Sequence, residues 1–229
     1  MEQVLTFYDS RHDDYCSYCG NHPDTRDHVP SKILLEKPFP ENLPVVPCCY
    51  ECNNQFSLDE EYVACIFECL IQKSCEIEDI KNDRIKKILT RKIKLQNKIR
   101  ELFFNNNIFQ ILTKEENRIK NILIKLAKGH YKYEYGEPIF EQPDIINISI
   151  LENMNKEDSH NFFSNNKQIL VPEIGSRNFI NTFKNKLNNW TEVQENIYSY
   201  LIFNDKNNFH VRMLIRNYFA CEVIWYDNY

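Results

Sequence analysis

The chain has 229 residues, of which 42% are hydrophobic and 27% charged, a balance typical of globular domains and not of a disordered or fibrous chain. It contains no apolar run long enough for a membrane span and no basic, apolar and small-residue order at its N-terminus, so we expect a cytoplasmic protein without a membrane partner or secretion signal. The formal net charge of −5 is unfavourable for an enzyme that acts on nucleic acid, because such enzymes usually bind phosphate through Lys and Arg.

Charge is distributed unevenly along the chain. Residues 1–80 hold 16 acidic and 5 basic residues, whereas residues 81–100 hold 9 basic residues and one Asp. Phosphate backbones are bound mainly by Lys and Arg. Any electrostatic attraction for nucleic acid should therefore come from the second segment.

The nine cysteines are better explained by a metal than by disulfides. Cys16 with Cys19 and Cys49 with Cys52 form two CxxC pairs, a spacing that indicates metal binding in a reducing compartment. Four thiolates in this pattern predict a closed, tetrahedral structural zinc site. Cys48 leaves a Cys48-x3-Cys52 pairing open, although the x2 spacing favours Cys49.

An acidic residue and a histidine lie between the two pairs. Asp27-His28 occupies the intervening segment, and Asn53 directly follows the last cysteine. With these residues, the window 16–62 resembles the HNH nuclease family, in which a treble-clef zinc site supports a β-hairpin followed by a helix. The ending CNNQFSLDEEY is similar to a subgroup with the pattern C-N-N-x-x-S-x-D-E-x-Y. The resemblance covers about residues 14–65 and implies a ββα-metal module there.

The same residue types suit phosphodiester hydrolysis on chemical grounds. His28 can accept a proton from water at neutral pH. Asp27 points away from His28 if the segment is a strand, and can bind a hard cation. Asn53, or Asn54 beside it, offers an oxygen to the same Mg²⁺ or Mn²⁺, unless Asn53 only caps the helix. Asn42 can fill the family's central Asn position, which holds the loop, and its spacing leaves that role open.

Some residues of the window do not fit a catalytic pattern. Phe56 stands where the family often has Lys, so either the phosphate contact has moved or activity is lower. His12 and His22 match no motif position and are taken as surface residues. Cys65 and Cys69 are separated by one helical turn, and we expect them to pack in a core rather than bind metal.

Residues 59–130 predict helices. The first begins with the acidic residues 59–61, which suit the positive end of a helix dipole. From Ile85 onward, apolar residues recur at helical spacing among Lys and Arg, which predicts one amphipathic basic helix. A further helix is expected over residues 114–128, ending at Gly129. The basic helix offers either phosphate contacts or a solvated face through Lys86, Lys87, Arg91, Lys94 and Lys98.

Residues 131–229 predict a mixed unit. Alternating apolar residues indicate antiparallel strands over 196–203 and 210–226, joined by a turn. A short helix is expected over 178–187 and a loop over 158–167. The role of this unit is open, and a partner protein could bind through it.

The sequence as a whole predicts an α+β protein with an HNH module at residues 1–65, a helical segment at 66–130 and the mixed C-terminal unit. The expected function is that of a metal-dependent endonuclease acting on nucleic acid, with double-stranded DNA the first choice. His28, Asp27 and Asn53 would carry the chemistry, zinc would be structural, and Mg²⁺ or Mn²⁺ catalytic. The family resemblance also implies a role in bacterial antiviral defence. The alternative is a non-catalytic zinc module that binds nucleic acid or a protein.

Overall fold

In the computed structural model of this protein, the chain within the described ranges has an α+β fold. It forms seven α-helices and two antiparallel sheets there, which confirms the predicted class. No helix of this part is long and apolar enough to cross a membrane. The described residues are 6–7, 9–164, 173–183, 189–205 and 208–226.

The chain divides into two compact units. One consists of Met1–Asn53 together with Leu123–Tyr229, and the other of Asn54–Ile122. The first and last parts of the chain therefore belong to one unit.

A two-stranded sheet lies near the N-terminus. β1 (Thr25–His28) pairs antiparallel with β2 (Val45–Cys48), and His28 lies opposite Val45. Asp27 is buried and His28 is only half-buried, as expected for neighbours that point to opposite faces of a strand.

The helix α1 (Tyr50–Gln72) begins directly after the hairpin. The backbone N–H of Tyr50 donates to a carboxylate oxygen of Asp24 over 2.6 Å, which satisfies one of the amides that a first helical turn leaves unpaired. The helix therefore starts earlier than predicted, and the acidic residues 59–61 lie inside it. Cys65 and Cys69 are fully buried, which confirms that they pack in a core.

The predicted basic helix is two helices in the structure. The side chain of Asn82 caps α2 (Asp83–Arg91) by accepting hydrogen bonds from the backbone at its start. Lys92, with φ −105° and ψ 70°, is outside the helical region and separates α2 from α3 (Ile93–Asn105). The prediction of one continuous helix is therefore wrong. α4 (Ile108–Lys114) follows, with a capping box at its start.

α5 (Glu116–Tyr135) continues past Gly129, where the sequence predicted its end. A Cβ at position 129 would lie 2.5 Å from Cγ2 of Val29. Gly129 is thus required by close packing against the loop between β1 and β2 (residues 29–44, the hairpin loop) and not by a helix terminus. The helix ends instead at Gly136, whose φ of 83° is the left-handed conformation common after a helix. In its last three turns α5 carries a row of buried polar side chains: Lys125, Lys128, His130, Lys132 and Glu134.

The second sheet has five antiparallel strands in the order β3-β7-β6-β5-β4. The predicted strand over 210–226 is two strands. Arg216 and Asn217 both have positive φ (53° and 49°) and lie in a short turn of residues 216–218, which leaves Ile215 paired with Phe219. The central strands hold an apolar core in which Val211, Met213 and Phe219 are fully buried. The strands are β3 (Ile145–Ile150), β4 (Thr191–Gln194), β5 (Tyr198–Asp205), β6 (Asn208–Ile215) and β7 (Phe219–Trp225).

Two short helices lie between β3 and β4 in the sequence. α6 (Lys156–Phe163) occupies most of the predicted loop 158–167, because Asn155 caps it by accepting from the backbone of Asp158 and Phe162 is buried. Residues 165–167 lie outside the described residues. α7 (Arg177–Phe183) confirms the first part of the helix expected there, and residues 184–187 of that prediction are again outside the description.

The edge strand β4 is paired with the hairpin loop through a side chain. The backbone N–H of Glu36 donates to Oε1 of Gln194 over 2.9 Å. Nε2 of Gln194 donates in return to the backbone oxygen of Glu36 over 2.8 Å. The amide of Gln194 therefore bonds to the backbone of Glu36 as a neighbouring strand would. The register of β4 shifts between Glu192 and Gln194.

Candidate metal centre and hairpin site

Four cysteines from two parts of the chain come together beside the hairpin. Their ligand atoms all lie within 4.8 Å of one another, and the sulfurs of Cys19 and Cys49 are 3.7 Å apart. The first pair is presented by a tight turn in which the backbone N–H of Gly20 donates to the oxygen of Cys16 over 3.0 Å. The second pair stands at the start of α1, where Cys52 donates its N–H to the sulfur of Cys49 over 3.4 Å.

This sulfur arrangement fits a structural zinc ion. Zinc bound to four thiolates at about 2.3 Å keeps the sulfurs about 3.8 Å apart, close to the distance between Cys19 and Cys49. The predicted set of Cys16, Cys19, Cys49 and Cys52 is therefore brought together and could hold a metal ion.

Cys48 is outside that set but contacts it. Its side chain is fully buried, and its thiol donates to the backbone oxygen of Cys49 over 3.3 Å. A hydrogen bond with Cys48 is the largest effect that lowers the pKa of Cys16 to about 4. The structure thus brings Cys49 into the set of four and leaves Cys48 as a buried neighbour.

Asp27 points into the unit and meets two buried donors. Its Oδ2 accepts from the hydroxyl of Tyr18 over 2.7 Å and lies 2.7 Å from Nζ of Lys125. The same ammonium donates to the hydroxyl of Ser31 over 2.9 Å. Lys125 is only 1% exposed, so this is a buried ion pair that connects α5 to the hairpin.

His28 lies on the opposite face of β1. Burial is the largest effect that lowers its pKa below the usual value, with the charge of Lys32 acting in the same direction and that of Asp27 opposing it. The imidazole is therefore neutral at pH 7 and able to accept a proton. A backbone interaction with Pro44 also raises the pKa. Nδ1 is buried and has no hydrogen-bond partner by geometry among the described residues, for which a bound water or ion is one explanation.

Asn53 connects the start of α1 to β1. Its amide nitrogen donates to Oγ1 of Thr25 over 3.3 Å, and that hydroxyl donates to the backbone oxygen of Cys48 over 2.8 Å. This leaves the amide oxygen of Asn53 available as a ligand. Asn54 is exposed on the next position of the helix, and Asn42 lies half-buried in the loop between the strands.

The donors for a catalytic divalent ion are not assembled as completely as those for zinc. The oxygen of Asn53 is available, but Oδ2 of Asp27 already contacts the ammonium of Lys125 and the hydroxyl of Tyr18. An ion would have to share or displace these partners. The present arrangement of Asp27 therefore does not fit an open Mg²⁺ or Mn²⁺ site.

The five basic residues predicted to contact phosphate belong to the unit Asn54–Ile122 and are divided between α2 and α3. Nζ of Lys86 is 3.5 Å from the backbone oxygen of Glu78, and that of Lys98 lies 4.5 Å above the ring of Tyr62. The remaining three are exposed and make no ion pair with another described residue: Lys87, Arg91 and Lys94.

Sequence reasoning missed the groups that surround Asp27. Tyr18 lies inside the first CxxC pair, and the sequence pattern assigns it no role. Lys125 lies far along the chain, and the one local signal was a charged residue among the apolar positions of α5. Such a residue has to find a buried partner, but the sequence does not say which.

Comparisons of the chain with protein-family models, with curated proteins and with solved structures find no match in any of the three. The resemblance to HNH nucleases therefore rests on the motif residues.

Proposed function

We propose that this protein is an HNH-type endonuclease that hydrolyses phosphodiester bonds of nucleic acid, with double-stranded DNA as its first substrate. The observation that carries the proposal is His28, a half-buried histidine with an unpaired Nδ1, on a strand of the hairpin between the two halves of the cysteine cluster. The order of the elements, two short antiparallel strands and then a helix, is the one that the family resemblance implies.

His28 has the properties of a general base. Burial lowers the pKa of the imidazole and so favours its neutral form. Nδ1 can then accept one hydrogen bond from a water molecule. That water would give its proton to His28 while its oxygen bonds to phosphorus. The P–O3′ bond breaks with its electron pair going to O3′, which takes a proton from solvent water. General bases typically contribute about 10²–10⁴-fold to a rate.

The zinc ion has no part in this chemistry. When bound by four thiolates it has no open position for water or substrate, and such a site only stabilises the fold. Its effect is to hold the start of α1 and the turn before β1 together. The sequence also predicts a dependence on Mg²⁺ or Mn²⁺ with Asp27 and Asn53 as ligands. Because Lys125 already pairs with Asp27, no step of the proposed reaction depends on that ion, and the dependence is measured in the same assay.

The test is cleavage of supercoiled plasmid, linear DNA and RNA with Mg²⁺, Mn²⁺ or Ni²⁺. His28→Ala should lose roughly 10²–10⁴-fold in rate and keep its zinc, fold and nucleic-acid binding. His22→Ala is the matched control, since His22 is exposed and matches no motif position, and it should cleave like the wild type. The proposal fails if the wild type cleaves none of these substrates with any of the ions.

A second candidate function is a non-catalytic zinc module that binds nucleic acid or a protein. The buried pair of Asp27 and Lys125 supports it, since an Asp held in this way is explained by stability alone. In that case the wild type and His28→Ala bind equally and neither cleaves. A role in bacterial antiviral defence rests on the family resemblance. It predicts that phages plate less efficiently on cells with the wild type than on cells with His28→Ala.

A further inference from the structure

A cavity of about 430 Å³ lies beside the hairpin. On one side it is lined by the hairpin residues Arg26, Val45 and Pro47, and on the other by Lys132, Tyr133 and Arg177. All of them belong to the unit Met1–Asn53 with Leu123–Tyr229. Its volume falls in the range of about 300–1,000 Å³ that is usual for small-molecule sites.

The cavity contacts the face of the hairpin that carries His28. Arg26 and His28 are two residues apart on β1 and so point to the same face. Pro47 lies opposite Arg26, and Val45 lies opposite His28. The cavity is lined by three of the four residues of this face and also by Thr25 and Val46 of the other face. His28, the fourth residue, does not line the cavity itself.

The lining is rich in positive charge. Among the described residues it contains Arg26, Lys132 and Arg177 and one acidic residue, Asp13. Lys132 is buried and lies 2.8 Å from Asp13, while Arg177 is buried and bonded to Glu134 over 2.9 Å. These pairs hold the inner wall in one arrangement.

Arg26 differs from the other two cations. It is exposed, and no ion pair joins it to another residue in the described ranges of the chain. This guanidinium lies in the most acidic part of the sequence, where residues 1–80 hold 16 acidic and 5 basic residues. A planar guanidinium suits bidentate recognition of phosphate.

We propose that this cavity binds a nucleotide phosphate of the substrate strand, one or two nucleotides from the bond that His28 attacks. Two strand residues span about 7 Å, and a DNA strand advances about 3.4 Å per phosphate, so one strand can reach both positions. Arg26 contacts the phosphate, and the ion-paired side chains of Lys132 and Arg177 form the wall behind it. The inference rests on the proposed function for its substrate, but it can be tested without cleavage.

The test measures binding of thymidine 3′,5′-bisphosphate and of uncharged thymidine by calorimetry at about 50 mM salt, where phosphate contacts are strong. The wild type should bind the bisphosphate and not thymidine. Arg26→Glu should lower the affinity for the bisphosphate at least about tenfold, since it reverses the charge of a side chain in direct contact with the phosphate. The matched control is Lys156→Glu, which makes the same change of charge at an exposed residue of α6 outside the cavity, and it should bind like the wild type.

The outcomes separate this inference from the proposed function. If the bisphosphate binds through Arg26 but no nucleic acid is cleaved, the phosphate site stands and the endonuclease proposal fails. If DNA is cleaved while Arg26→Glu leaves both bisphosphate affinity and KM unchanged, the phosphate site is wrong. Equal weakening by Arg26→Glu and Lys156→Glu also overturns it, because the effect would then be one of overall charge.

Discussion

The hairpin β1–β2 and the five-stranded sheet belong to the same compact unit but are stabilised differently. Each hairpin strand has only four residues. Besides a few buried apolar residues such as Val29 and Val46, its surroundings include cysteines and a buried ion pair. The large sheet has strands of up to eight residues whose apolar side chains pack on one another. Small units with little apolar area need such additional ties.

α5 contacts both sheets. Lys125 pairs with Asp27 of the hairpin. Further along the helix, Nε2 of His130 is 2.8 Å from the hydroxyl of Tyr198 on β5, and its ring stacks on Tyr200 at 3.9 Å between centroids. The difference between the sheets shows that one unit can combine a part that depends on specific ligands with a part that depends on apolar packing.

Removal of the metal should separate the two sheets most strongly. The double variant Cys16→Ser/Cys19→Ser, or treatment with a chelator, should unfold the hairpin, because structural zinc supplies roughly 10–16 kcal/mol in small zinc peptides. Hydrogen exchange should become fast in β1 and β2 and stay slow in β6. Elemental analysis should find about one zinc in the wild type and in the control Cys48→Ala. Full metal retention in the double variant would contradict the prediction.

A change in the core of the large sheet should have the converse effect. Phe219 is fully buried, so Phe219→Ala should lower the free energy of unfolding by roughly 3–5 kcal/mol without changing zinc content. Denaturant unfolding measures the decrease. The same substitution at Phe104, which is 90% exposed, should cost less than about 0.5 kcal/mol. Comparable decreases at both positions would mean that the core is elsewhere.

The link through α5 can be tested at Lys125. Lys125→Met leaves the carboxylate of Asp27 buried with Tyr18 alone, and should cost about 3 kcal/mol, the lower end for breaking a buried pair. The double variant Lys125→Met/Asp27→Asn should recover much of that stability. If Asp27 is a ligand for a divalent ion, Mn²⁺ should also bind more tightly to the single variant. Additive effects in the double variant would show that the pair has no coupling.

The smallest effect on either sheet is expected from the basic residues of α2 and α3. Changing Lys87, Arg91 and Lys94 to Glu should leave zinc content intact and alter the free energy of unfolding by less than about 0.5 kcal/mol. DNA binding should weaken for all sequences, and the slope of log affinity against log salt should flatten by roughly 0.9 for each phosphate that the variant no longer neutralises. Unchanged affinity and unchanged slope would assign this face to solvation.

The two sheets also differ in how far the sequence predicted them. The cysteine set followed from the CxxC spacing, because that spacing lets two thiolates bind one metal ion. The opposite orientation of Asp27 and His28 followed from the alternation of side chains along a strand. The large sheet was predicted only in outline. The division of residues 210–226 into two strands was missed, because the turn at Arg216 and Asn217 contains no glycine that would indicate it. The roles of Lys125 and Gly129 could not be predicted from the sequence, because each depends on a contact with a residue far away along the chain. Lys125 pairs with Asp27, and Gly129 packs against Val29.

The contact between Gln194 and Glu36 has a consequence for self-association. An edge strand exposes unpaired backbone groups, which is how sheets of separate molecules join and aggregate. Here a single amide side chain occupies hydrogen-bonding groups of the hairpin loop beside β4, and the register shift in β4 makes that edge irregular as well. A change such as Gln194→Ala would remove the hydrogen bonds to Glu36 and a third one to the backbone oxygen of Pro38. Its first visible result should be increased light scattering in concentrated samples, before any loss of zinc or of secondary structure.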